Sequence, residues 1–443
     1  MPENNTGDHP FDVSRSDLFA VEKSADSTRL TGAITELRST KTIRTRAQAL
    51  LARARRGESA WFSVNDGAMV MAATLVAELT KVRYPDLKIP YHSRWRHFEA
   101  GGVDRAGQLN AALAQLSNTE KARAQIDLAL VSVLLDAGAG PDWAYCESAS
   151  SQPCSHEYSR SEGLGVASFH AFMAGLFSSD PLRPLRADAL GLQAVTAEAL
   201  GKAFQVTDSN PLVGLDGRAA LLRRLGQALQ DQPELFGQPG RPGHLFDLLT
   251  HANTVGKAEI HAHDLLSVLL TGLAPIWPAQ NAIENIALGD CWQHPAATGD
   301  AADSISSGWM PFHKLSQWLT YSLLEPFEWA GITVKGLDSL TGLPEYRNGG
   351  LFLDSGVLRL KDAAQARQLH GAGDELIVEW RALTVALLDE LAPLVREELG
   401  LTEAQMPLAC VLEGGTWAAG RALAQQLHQG LPPLNIQSDG TVF

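Results

Sequence analysis

The sequence predicts a mostly α-helical protein, one large helical globule in a single piece or two lobes, with few short strands. Three observations predict it. Apolar residues recur at helical spacing along most of the chain, as in Ala47, Leu50, Leu51 and Ala54, with arginines on the opposite face. Ala, Leu, Glu, Gln and Arg, all good helix formers, fill these stripes. Alternating strand patterns are scarce, the best being the short Leu434–Ser438 (LNIQS).

Taken in order, residues 1–15 are polar and acidic and are expected to be a disordered tail. Residues 16–443 are expected to be one α-helical catalytic domain. Helical stripes run through 66–82, 105–116, 118–137, 161–177, 186–203, 217–230, 257–273, 313–330, 364–399 and 413–429. Polar or Pro/Gly-rich linkers separate them at 138–160, 205–216, 232–244, 289–311 and 331–350. Loops beyond about 12–15 residues are often functional. No linker makes a clean domain boundary, because helical segments continue on both sides of each.

Composition excludes several function classes. The 443 residues hold 36 Lys plus Arg against 50 Asp plus Glu, a formal net charge of −14. Such a surface repels a phosphate backbone, so no nucleic-acid partner is expected. The most apolar helix, Leu265 to Trp277, is shorter than the ~20 residues that span a bilayer, so no membrane role is expected. The N-terminus MPENNTGDHPFD has no signal or transit character. Cys146, Cys154, Cys291 and Cys410 form no CxxC pair and are expected to be reduced thiols of a cytoplasmic protein. GxSxG, Walker A, HExxH and a strand-turn-helix GxGxxG are absent.

Five stretches carry candidate chemistry. Tyr91 to Arg105 (YHSRWRHFEAGGVDR) has Arg94 and Arg96 beside two glycines, material for an anion site or for surface ion pairs. Gly256 to Leu266 (GKAEIHAHDLL) offers His261, His263 and Asp264. An HxH pair shares a metal on a strand, but the leucines that follow argue for a helix, where residues two apart diverge by about 200°. In Trp309 to Gly331, Pro311 suits a first helical turn. Lys314, Tyr321 and Glu325 then share one narrow side, with Gln317 next to them, as a solvated edge or a pocket wall. Leu340 to Phe352 (LTGLPEYRNGGLF) reads as a stiff turn, broken by Gly342, Pro344, Gly349 and Gly350. Glu345, Tyr346, Arg347 and Asn348 sit in its middle, either closing the turn by an ion pair or presenting a functional carboxylate. Leu412 to Arg421 (LEGGTWAAGR) opens a helix with two glycines, for packing or for close approach to a ligand, and it carries Trp417.

YHSRWRHFEAGG, RSEGLGVAS, FHKLSQWLTYSLLEPFEWAG, LDSLTGLPEYRNGGLFLDSGVL, EGGTWAAGR and PPLNIQSDGTVF together resemble one family, the uracil-catabolism (URC) protein family formerly of unknown function. The resemblance runs from about residue 16 to the end. It implies a role in pyrimidine degradation, where uracil enters as a ribosyl compound, the ring is opened and urea is released.

A fainter resemblance is to the queuosine-salvage nucleotide N-glycosidases, helical enzymes distantly like DNA glycosylases. It rests on His313-Lys314-Leu315-Ser316-Gln317, Asp338-Ser339-Leu340-Thr341, Glu345-Tyr346-Arg347 and EGGTWAAGR, over about half the chain. It implies Lys314 and Glu345 as a catalytic pair and Asp338 as a pocket acid. Glu345 departs from the aspartate of those enzymes by one methylene.

These readings lead to an expected N-glycoside hydrolase acting on a ribosylurea or a related ribonucleoside or 5′-phosphate. Its catalytic residues would be Glu345, Lys314 and Asp338. Arg347, Tyr346, Asn348, Arg94, Arg96, Tyr321 and Trp417 would bind substrate, and no metal or organic cofactor would be needed. One alternative is a metal-dependent amidohydrolase with His261, His263, Asp264 and His294 as ligands. Another is a non-catalytic helical partner of other uracil-catabolism enzymes. Nothing in the sequence indicates an oligomeric state.

Overall fold

Several helices begin where a side chain satisfies a free backbone N–H. Ser39 accepts from the Lys41 N–H at the head of Thr40–Arg55. Ser117 accepts from Glu120 at the head of Asn118–Leu134, a capping arrangement with an acid in the first turn. The computed structural model describes residues 25–149, 152–251, 259–277, 281–299 and 304–437. The 1–15 tail lies outside them.

Three long helices form the interior: Asn118–Leu134, Lys314–Trp329 and Glu375–Leu399. Almost every residue from Ala124 to Leu134 and from Ser316 to Phe327 is buried. Lys314–Trp329 packs on Asn118–Leu134, while Glu375–Leu399 packs on Thr40–Arg55 and Met69–Arg83. One apolar core runs from Ile43 to Leu434, joining all three. A second small cluster gathers Ile34, Leu37, Ile283, Leu288 and Cys291. The described strands are two to eight residues long and form only two-stranded pairs. Among the described residues, no helix is long and apolar enough to cross a membrane.

Five sequence expectations are corrected. The 138–160 linker holds an antiparallel hairpin, Ala144–Ala149 with Gln152–Ser159. Cys146 is disulfide-bonded, whereas Cys291 and Cys410 are free and buried.

The helix expected from 364 starts at Glu375, after the strand Leu369–His370, because Gly371 and Gly373 precede an extended Asp374 at its N-cap. Pro311 ends the short strand Trp309–Pro311, and the next helix starts only at Lys314, after His313 at φ 49°.

The Leu340–Phe352 stretch is not all turn: Tyr346–Asp354 is a helix with both glycines inside it. A side chain at Gly349 would collide with the Trp380 ring at 2.7 Å, and one at Gly350 would crowd Pro433 at 3.3 Å. The glycines let this helix sit tight against its neighbours. That packing offsets the ~1 kcal/mol that a helical glycine costs.

Candidate active site

Lys314 owes its position to Asp290. The Asp290 carboxylate accepts the Lys314 backbone N–H at 2.9 Å, and the Asp290 carbonyl accepts those of Phe312 and His313. Arg381 grips the same carboxylate through two nitrogens, each at 2.7 Å. Burial opposes ionisation of Asp290, but Arg381 and the Lys314 N–H outweigh it and bring the carboxyl down to about 2. The helix start is thus pinned by a bidentate ion pair. The Lys314 side chain is half-buried, and its amine makes no hydrogen bond or ion pair with any described residue. Burial lowers its pKa, against the pull of Glu345 first and Asp136 second.

The Lys314 helix also holds the segment that carries Glu345. Gln317 Nε2 donates to Thr341 Oγ1 at 2.9 Å, and the Tyr321 hydroxyl donates to the Thr341 carbonyl at 2.9 Å. Arg44 donates to the carbonyls of Ser339 and Leu340, and Arg381 Nε to that of Pro344. Residues 340–345 are therefore buried and rigidly tied, not spread on the surface.

Glu345 then caps the following helix. Its two oxygens accept the backbone N–H groups of Arg347 and Asn348, both at 2.6 Å. Each carboxylate oxygen keeps a further lone pair. Burial raises the Glu345 pKa, opposed by those two N–H groups, by Lys314 and by His92.

The same electrostatic neighbourhood draws in three more parts of the chain. Arg94 is fully buried, 3.2 Å from Asp136, and donates to Ser132 and to His97 Nδ1. Burial and the adjacent Arg94 bring the His97 pKa down to about 3, so its ring is neutral. Trp318, one turn beyond Lys314, packs its ring 5.6 Å from those of both His97 and the Arg94 guanidinium. His92 bonds Glu413 at 2.8 Å and lies 6.3 Å from the Trp417 ring. Glu413 and the two glycines after it occupy a π-helical turn, Leu412–Thr416, an irregularity common at functional sites.

The structure brings Lys314, Glu345, Arg94, Tyr346 and Trp417 into or beside this cluster. Arg347 is buried, with its guanidinium 4.7 Å from the Tyr346 ring and one bond to the Gly430 carbonyl; its Nε and Nη1 have no hydrogen-bond partner. Asn348 is buried, donates to the Leu343 carbonyl, and leaves Oδ1 unpartnered.

Three expected site residues are placed elsewhere. Asp338 is exposed on the short 3-10 turn Leu337–Ser339, so it is not a pocket acid. Tyr321 is fully buried with its hydroxyl spent on Thr341, which makes it a support of the Glu345 segment. Arg96 is paired with Glu325 at 2.9 Å and Glu99 at 3.2 Å. The edge formed by Tyr321 and Glu325 is an interior surface, not a solvated one.

The amidohydrolase ligand set does not assemble. His261 is exposed at the end of the strand Glu259–His261, His263 bonds Ser267 on its own helix, and His294 lies buried against Glu379. Among the described residues, His294, Glu375 and Glu379 do bring one possible ligand atom each within 4.8 Å of one another. However, the Ala296 N–H donates to His294 Nδ1, which leaves the ring hydrogen on Nε2 facing Glu379 at 3.3 Å. A metal at Nε2 needs that nitrogen's lone pair, so this trio fits a hydrogen-bonded contact better than a coordination site.

Sequence reasoning missed Asp290, Asp136 and Glu413. Glu413 alone had a signal, the glycine-opened helix, while Asp290 and Asp136 lie in unremarkable surroundings.

Comparison with known proteins fits this architecture to a family. Residues 36–443 match the family described as "Protein of unknown function (DUF1688)". Protein urg3 of Schizosaccharomyces pombe is 40% identical over 422 residues, 93% of this chain and 100% of that protein. Uracil catabolism protein 4 of Lachancea kluyveri is 40% identical over 380 residues, 80% of this chain and 85% of that one. With agreement over so much of each sequence, the chain belongs to the DUF1688 family.

Proposed function

We propose that the protein is an N-glycoside hydrolase of uracil breakdown, cleaving the ribosyl C–N bond of a ribosylurea or a related ribonucleoside or 5′-phosphate. The name of the Lachancea relative supports the metabolic setting. The observation that carries the chemistry is the Lys314–Glu345 pairing: a buried carboxyl on a rigid cap, within electrostatic reach of an amine that no other described group engages.

Breaking a ribosyl C–N bond builds positive charge on the sugar. A fixed carboxylate stabilises that charge and takes a proton from the attacking water. The water oxygen bonds to the anomeric carbon, the C–N electron pair leaves with nitrogen, and nitrogen gains a proton. Burial raises the Glu345 carboxyl from its ordinary value, which makes it a better base than an exposed acid. Lys314 favours the ionised form of Glu345 and offers its N–H donors to the leaving group.

Arg347 supports an anionic substrate. It is 4% exposed, and no described carboxylate lies within ion-pair distance of it. A buried guanidinium without a counter-charge is costly, and a 5′-phosphate nearby would supply that charge.

Purified protein incubated with ribosylurea and its 5′-phosphate should release urea. Inertness toward both, and toward uridine and its 5′-phosphate, would overturn the reading. Glu345→Gln should abolish turnover; full activity in that variant would refute the site assignment even if the reaction stands.

A further inference from the structure

His92 stands out among the groups near Glu345. It precedes the short helix Arg94–Phe98, and its backbone N–H is fixed to the Ala409 carbonyl at 3.0 Å. Its next neighbour, Ser93, caps that helix and also bonds Glu325. The ring is thus carried by an anchored turn. Nδ1 meets Glu413 Oε2 at 2.8 Å. Glu413 is saturated on its other side: Oε1 accepts Arg83 Nη2 at 2.7 Å and the Tyr84 hydroxyl at 2.8 Å. Burial works against its charge, but His92, Arg83 and Tyr84 outweigh burial and bring the carboxyl down to about 2. An ionised carboxylate only accepts, so the hydrogen of this contact sits on His92 Nδ1.

Two consequences follow from that tautomer. Nε2 is the nitrogen left to exchange a proton, and no described residue engages it. If it gains a proton, the imidazolium is stabilised by the anionic Glu413 behind it. This is the division of labour in which a buried acid orients a histidine and supports its charged form. His92 lies near the cluster: its charge acts on Glu345 and on His97, and its ring centroid is 6.3 Å from that of Trp417.

We infer that His92, oriented by Glu413, is a second acid–base residue of this site, the one that protonates the departing nitrogen while Glu345 takes the proton of water. The inference rests on the glycosidase reading above. The balance closes without a co-reactant. The C–N bond breaks, the His92 Nε2 proton goes to the leaving nitrogen, the water oxygen joins the anomeric carbon, and the water proton goes to Glu345. Exchange of one proton from Glu345 to His92 through solvent restores both groups. Glu413 acts through His92 and is a positioning residue.

The test varies the leaving group. Urea needs a proton to leave; 4-nitrophenolate does not. His92→Gln should lower turnover of ribosylurea, or of its 5′-phosphate, by about 10²–10⁴-fold. The same variant should release 4-nitrophenolate from the matching nitrophenyl riboside at close to the wild-type rate. Glu413→Gln keeps an acceptor but removes the charge, and should show the same selectivity with a smaller loss. Equal losses on both substrates, or none on either, would overturn the acid role while leaving the glycosidase reading intact. Wild-type protein inert to every riboside overturns that reading and the acid role with it. Imidazole ¹⁵N shifts of the unmodified protein give an independent check, expected to show the hydrogen on Nδ1 of His92. A hydrogen on Nε2 with a bare Nδ1 would overturn the dyad whatever the kinetics.

Discussion

Glutamine in place of Glu325 should make the protein more stable as pH rises, even though it deletes an ion pair. Glu325 lies on the Lys314 helix, 7% exposed, and accepts from Ser93 Oγ and Arg96 Nη2. Burial pushes its carboxyl up to about 7, over the pull of Arg96 and Ser93, and the charges of Glu99 and Glu328 push the same way. A raised folded value means that the folded state holds this proton more tightly than the unfolded chain. The stabilisation is complete below about 4.5, the unfolded value, and is lost as pH rises through about 7. From pH 5 to pH 8, linkage over that interval amounts to about 2.5 kcal/mol.

Glu325→Gln carries no such proton. The stability difference, variant minus wild type, should therefore grow by about 2.5 kcal/mol across that range. Denaturant unfolding of both proteins at matched pH values measures it. Subtraction cancels most other groups that titrate in the window, such as Asp127, which burial raises to about 6. A flat difference, or a wild type that gains on the variant with pH, would show that the Arg96 ion pair governs this site and would refute the argument.

Asp290→Asn should cost about 3–5 kcal/mol in denaturant unfolding, because it strands a buried Arg381. It should also reduce turnover, since the Lys314 helix start loses its anchor. Tyr321→Phe removes one donor from the buried Thr341 carbonyl, and about 1–3 kcal/mol of stability should go with it. Arg347→Ala should raise KM for a 5′-phosphorylated substrate and leave KM for the unphosphorylated riboside nearly unchanged. Equal effects on the two would remove Arg347 from phosphate recognition.

The helical interior was legible in the chain because local periodicity and burial agree. Ala122 through Leu134 and Leu315 through Phe327 pair apolar stripes with good helix formers, and both became buried helices. Legibility failed where tertiary contact overrode a local rule. Gly349 and Gly350 signal a break, yet Trp380 and Pro433 press on them and a helix passes through. Tyr321 and Glu325 left periodicity undecided between a solvated edge and a pocket wall, and it could not show that Thr341 and Arg96 cover them. The candidate site was half visible: Lys314 and Glu345 stood in motifs, and the fold brings their charges within reach of each other. Asp338 stood in the same motif, but the 3-10 turn carrying it faces solvent.

What no motif could report is which charges are left over. Near the site, Arg381 is matched by Asp290, Arg94 by Asp136, Arg83 by Glu413 and Arg96 by Glu325. Each match spans dozens to hundreds of residues, so it exists only once the helices have packed. Lys314 and Arg347 have no carboxylate within ion-pair distance among the described residues. In a chain with more acids than bases, a carboxylate for each was abundant. Two buried or half-buried cations left without one, where the other four such cations have theirs, leave electrostatic demand for an anion or a developing negative charge from outside the chain. A ribosyl 5′-phosphate whose leaving group departs with an electron pair would meet both demands, Arg347 taking the phosphate and Lys314 the leaving group. An uncharged riboside would meet only the second.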